Sequence, residues 1–138
     1  MIERFEIKGI EGRRYVELAD AKNYKISVSH STNILNVAKE GDKANIEFSF
    51  TTNYLPIGMI RAEGKMLYSG RTEELMTSWS NNRKIDDKEI ANEIMNAPMA
   101  FCITTMFMIA KELNLPPPLP MPKLKFEEKK EDKKQAYL

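Results

Sequence analysis

The chain has 138 residues, 42% hydrophobic and 30% charged, a composition that suits one globular domain with a single core. Lysine and arginine total 21 against 20 acids, and a net charge of +1 argues against a bulk polyanion such as duplex DNA as main partner. One cysteine, Cys102, excludes an intramolecular disulfide, and one histidine, His30, leaves no Cys/His zinc set.

The opening run Met1-Ile2-Glu3-Arg4-Phe5-Glu6 lacks the basic-then-apolar layout of a signal peptide, so a cytoplasmic location is expected. Residues 4–7, a turn near residues 9–12, and residues 15–18 are expected to form one bent strand. Tyr24, Ile26 and Val28 alternate with Lys25, Ser27 and Ser29, the period of a strand with one buried face. That phase changes at Ile34-Leu35-Asn36-Val37, where adjacent apolar residues predict a bulge or bend. Ile46, Phe48, Phe50 and Tyr54 alternate with polar residues, and Ile60, Ala62, Gly64, Met66 and Tyr68 do the same. Glu40-Gly41-Asp42-Lys43 and Leu55-Pro56-Ile57-Gly58 supply turn chemistry between these runs. Short connections imply antiparallel neighbours, hence a four-stranded antiparallel meander.

After Gly70 the period lengthens. Residues 71–79 give a weak helix with Thr72 as cap candidate, and Asp86 with Glu89 reads as a capping box that opens a strong helix. Pro98 is expected to break that helix near Ala97, with a restart that runs to about Leu113. Its most apolar part, residues 99–110, is shorter than a bilayer span requires, and no membrane insertion is expected. The segment Leu115-Pro116-Pro117-Pro118-Leu119-Pro120-Met121-Pro122 should be extended, and residues 123–138 form a charged tail or short helix. The fold class is therefore α+β, with the domain over residues 1–122.

On a helical wheel Met95, Met99, Cys102, Met106, Ile109 and Leu113 make one apolar stripe, and Ile94, Phe101 and Met108 make a second. One sheet covers one stripe. The second is expected to meet another subunit, and small Ala100 and Thr104 would permit close approach; burial between the sheet and other segments of the chain is the alternative. Nine methionines, several in the C-terminal third, suit either an adaptable binding surface or a core that needs gap-fillers.

The run Phe101-Cys102-Ile103-Thr104-Thr105-Met106 is similar to the Glu-Cys-Ile-Thr-Ser-Met of SecB export chaperones. Pro98 falls where that family has a proline, and Leu113-Asn114-Leu115-Pro116 resembles its Leu-Asn-Leu-Ala-Pro loop. The resemblance spans most of residues 2–126 and is specific over residues 98–116. It implies a homotetramer, a dimer of dimers, that binds non-native polypeptides in apolar grooves without ATP and delivers some to the secretion machinery. Met95, Met99, Leu115, Leu119 and Met121 are the expected peptide contacts, while Ile94, Ala100, Phe101, Thr104 and Met108 are the expected oligomer interface. The near-neutral charge departs from the acidic familiar members and points to a generic holdase, or to a chaperone dedicated to one client such as an antitoxin.

Two other classes compete. Enzyme chemistry would rest on Cys102, His30, Asp86 or Asp87, but no Walker or Rossmann glycine pattern exists, and no cofactor or metal is expected. A nucleic-acid-binding sheet would use Arg61, Lys65, Arg71, Arg83 and Lys84 with Trp79 or Tyr68, although Glu63, Glu73 and Glu74 sit among them.

Overall fold

Alternation becomes sheet in β3 (Lys43–Leu55), whose residues Ala44, Ile46, Phe48, Phe50, Thr52 and Tyr54 are all buried in the computed structural model, which describes residues 1–118. Its neighbours are β2 (Ser27–Glu40) and β4 (Gly58–Tyr68), and β1 (Ile2–Arg14) pairs with the far side of β4. All pairs are antiparallel, in the order β1-β4-β3-β2. The meander therefore covers β2, β3 and β4, while β1 closes on β4 and its link to β2, which includes the 3-10 turn Leu18–Asn23, crosses from one edge to the other.

Turn chemistry fixes the register of the two hairpins. Glu40 pairs with Lys43 around a two-residue turn whose Gly41 has φ +65, a left-handed conformation that glycine adopts without cost. Tyr54 pairs with Gly58 around the second turn. The expected irregularity in β2 is a bulge at Leu35, where the register shifts between Ile34 and Asn36.

In β1 the expected turn near residues 9–12 is absent, and residues 15–18 lie beyond the strand. One strand runs from Ile2 to Arg14 with a bulge between Ile7 and Gly9. Gly12 serves close packing: a Cβ there would lie 2.7 Å from side-chain atoms of Ile109 and Leu113 of the covering helix. The opposite face of the sheet carries Arg4, Glu6, Glu47, Glu63 and Lys65 and is solvated, with Arg61 bound to Glu63 at 2.6 Å.

Helix α1 (Thr72–Asn82) is longer than expected, and Thr72 is its buried first residue, without a capping bond. Arg71 organises its start. The guanidinium reaches Glu74 at 2.7 Å, Asp87 at 2.6 Å and Glu89 at 3.1 Å, tying α1 to the next helix. That helix, α2 (Lys88–Glu112), is capped by Asp87, one residue later than the capping box suggests, because the Asp87 carboxylate accepts from the N–H groups of Glu89 and Ile90.

Pro98 does not break α2. The helix passes through it unbroken, with Pro98 buried, so the lost N–H bond and the crowding of the Ile94 carbonyl by the ring are tolerated there. At 25 residues, α2 is by length and composition alone long and apolar enough to cross a bilayer, which the shorter stretch 99–110 did not suggest. Here one flank is spent on the chain's own sheet. Its buried residues Ile90, Ile94, Pro98, Cys102, Met106 and Ala110 follow each other at every fourth position, joined by Ala97. Such a row is a ridge inclined to the helix axis, and each step turns it by about 40°. The contact face thus winds around α2 instead of running straight along it.

The end of α2 explains the Leu-Asn-Leu-Pro run. Asn114 adopts φ +55, its N–H donates to Lys111 O at 3.2 Å, and Leu115 N–H donates to Ala110 O at 2.8 Å. These two bonds make a Schellman motif, and the prolines that follow prevent further helix. Arg14 Nη1 donates to the carbonyls of Leu113 and Asn114, both at 3.0 Å, so a cation sits at the negative end of α2.

Candidate polypeptide-binding surfaces

Because the contact ridge winds, the opposite flank of α2 winds as well, and over residues 97–110 it contains no charged residue. Phe101 remains 53% exposed and Met108 64%, with Phe107, Ala100 and Thr104 also exposed. Phe101 is half supported: its ring stacks on Phe5 of β1 at 4.5 Å, and Phe5 in turn contacts Phe48 at 5.0 Å. Four of the five expected interface residues, Ala100, Phe101, Thr104 and Met108, lie on this flank. Ile94 does not. It is 0% exposed and belongs to the core, because the ridge that starts at Ile90 carries it inward. A straight wheel joins Ile94 to Phe101 and Met108; the winding ridge separates them.

A second surface is a groove of about 370 Å³ between β2, the end of α1, the α1–α2 link and α2. Ile34, Trp79, Ile85 and Met95 form its apolar wall. Thr32 Oγ1 donates to Met95 O at 3.0 Å and fastens β2 to α2 at its floor. Of the expected peptide contacts, only Met95 lies here. Met99 is half-buried against the core, and Leu115 is a correction: at 6% exposure it is part of the core, held inward by the helix-ending motif. Leu119, Met121 and the charged tail lie outside the described residues. Sequence reasoning missed Ile34, Ile85 and the α1 end as partners of Met95, since no periodicity links three separate elements.

The groups that could carry other chemistry are placed differently. Cys102 is fully buried and burial pushes its thiol up to about 11, the reverse of a reactive thiolate. His30 Nδ1 lies 3.0 Å from Thr52 Oγ1, and burial lowers its pKa. Among the described residues no group of three acids, histidines or cysteines could hold a metal ion. The basic residues proposed for nucleic acid do not form one surface: Arg61 is bound to Glu63, Arg71 to three acids, and Tyr68 is buried, while Arg83 and Lys84 alone lie beside Trp79.

No protein-family model and no curated protein sequence matches the chain. Among solved structures the fold is similar to the Rv1957 SecB-like chaperone of Mycobacterium tuberculosis in complex with a ChAD peptide from the Rv1956 HigA1 antitoxin. The likeness covers 85% of this chain and 82% of that one, with a TM-score of 0.53 and 12% identity. It establishes a SecB-like α+β fold: four antiparallel strands and a long C-terminal helix.

Proposed function

We propose that this chain is an ATP-independent chaperone of SecB-like fold that holds non-native polypeptides as a homo-oligomer. The uncharged outer flank of α2, with Phe101, Phe107 and Met108 exposed, is the observation that carries the oligomer, and the apolar groove around Met95 leaves a surface for clients. Full burial of one such side chain is worth about 1.5–3 kcal/mol, and roughly 4 kcal/mol or more is lost to association. Three or four contacts on one surface therefore leave at most about 8 kcal/mol, which is micromolar binding at best. Several copies in one oligomer add avidity and hold a long unfolded chain firmly. A folded client hides its apolar segments and leaves. No nucleotide or catalytic residue is needed.

In this reading Ala100, Phe101, Thr104 and Met108 meet a second copy, in a dimer of dimers within the cytoplasm, and Met95 with Met99 faces clients. The solved relative carries a peptide from an antitoxin, which supports polypeptide as the ligand class and a single dedicated client as the narrower version. Delivery to an export motor is a third version; the net charge of +1 gives no overall acidic excess to attract one. The experiment is a light-scattering assay with a chemically unfolded protein: near-equimolar chain should suppress aggregation in moderate salt. No suppression at tenfold excess rejects the proposal.

A further inference from the structure

The groove that contains Met95 has a charge character the rest of the helical layer lacks. Its apolar wall ends at Arg83 and Lys84, both exposed, and no acid lines it. The acids of the α1–α2 region are on another side: Glu73, Glu74, Asp86 and Asp87 line a separate hollow, and Arg71 binds Glu74 and Asp87 there. Neither Arg83 nor Lys84 joins an ion pair among the described residues.

The rim is fixed relative to the wall. Arg83 ends α1 in the left-handed conformation with φ +56, its N–H donating to Trp79 O at 2.9 Å. Lys84 N–H donates to Asn82 Oδ1 at 3.1 Å. Trp79 and Arg83 line the same groove, and the bond between their backbones holds them one helical turn, about 5–6 Å, apart. An extended peptide advances about 3.3 Å per residue. A large apolar side chain against Trp79 would therefore place the residue one or two positions along beside the cations.

We propose that this groove selects extended segments in which a large apolar residue is followed within two positions by an acid, the carboxylate facing Arg83 and Lys84. The proposal deepens the chaperone reading and rests on it for the ligand class. It gives the protein a preference among clients: acidic-flanked apolar segments over basic-flanked ones.

Trp79 is the single tryptophan, so its fluorescence reports the groove alone. Two synthetic peptides with the same Leu-Phe centre, one with flanking aspartates and one with flanking lysines, are titrated against the full chain. The aspartate peptide should shift Trp79 emission at about three- to tenfold lower concentration, with the advantage shrinking in salt. Lys84→Glu should abolish that advantage, and Arg83→Glu with Lys84→Glu should invert it; the single variant suffices if the double one misfolds. Equal affinities, a lysine preference, or no emission change while aggregation is still suppressed overturns the groove and leaves the holdase standing. A single-stranded RNA that shifts Trp79 more tightly than the aspartate peptide also overturns it. The aspartate preference without any suppression of aggregation supports the groove and rejects the holdase.

Discussion

The Phe101 ring lies on the Phe5 ring, centroids 4.5 Å apart and planes 12° apart, yet half of Phe101 still faces outward. A residue of α2 thus leans on β1 for support and offers its other side. That division between an inner and an outer task recurs along α2 and separates two kinds of mutation.

Outer-flank charges should act on assembly and not on folding. Met108→Glu and Phe107→Glu should lower the solution mass measured by light scattering, while the unfolding free energy from urea titration at low protein concentration stays within about 0.5 kcal/mol of the parent. Phe101→Ala should do both, since it also uncovers Phe5.

Inner-ridge truncations should act on folding. Met106→Ala, at a fully buried site, should cost about 2–5 kcal/mol in urea unfolding, as should Leu115→Ala. Tyr54→Phe should be neutral or stabilising, because the buried Tyr54 hydroxyl has no hydrogen-bond partner among the described residues.

Gly64 and Gly9, both in strands, should respond differently to an added methyl group. A Cβ on Gly64 would collide with the Glu6 carbonyl oxygen of β1, so Gly64→Ala must push β1 from β4 and should cost about 3 kcal/mol. Gly9→Ala meets nothing within 4 Å and should change stability by less than about 0.5 kcal/mol.

Stability should fall in alkali. Burial raises the Cys102 thiol from 9.0 to about 11 and the Tyr54 hydroxyl from 10.0 to about 12. The unfolded chain ionises first, so these groups leave stability intact below about pH 9 and reduce it as pH rises toward 12. Cys102→Ala should flatten the first part of that decline in urea midpoints taken between pH 8 and 11. The same burial should keep Cys102 unreactive toward a thiol reagent until urea unfolds the chain.

The acid limb runs the other way. The N–H of Ile90, then Arg71, hold the Asp87 carboxyl below its usual 3.8, so its contribution is present above about pH 4 and lost as pH falls through the lowered value. Asp87→Ala should lower the melting temperature at pH 7 by roughly 4–8 °C and leave less acid sensitivity.

The strands β2 to β4, both hairpin turns and the Leu35 bulge were legible because a two-residue period with glycine and aspartate turns is local information. Three features were not. Pro98 read as a break since propensity knows nothing of the sheet beneath it, and Gly12 read as a turn because the reason for it is Ile109, almost a hundred positions away. Ile94 read as interface because a wheel assumes a straight contact stripe, whereas a helix on a twisted sheet uses an inclined ridge. The same limit hid the groove: Met95 was grouped with Met99, Leu115, Leu119 and Met121 near the end of the chain, whereas its partners come from β2 and the end of α1.

On the proposed reading, polypeptide other than the chain's own covers the outer flank of α2. A photo-cross-linking residue in place of Met108 tests it directly, with illumination in the absence and presence of an unfolded client. Products with the mass of two chains, or of chain plus client, are expected. Single-chain product alone under both conditions would contradict the account.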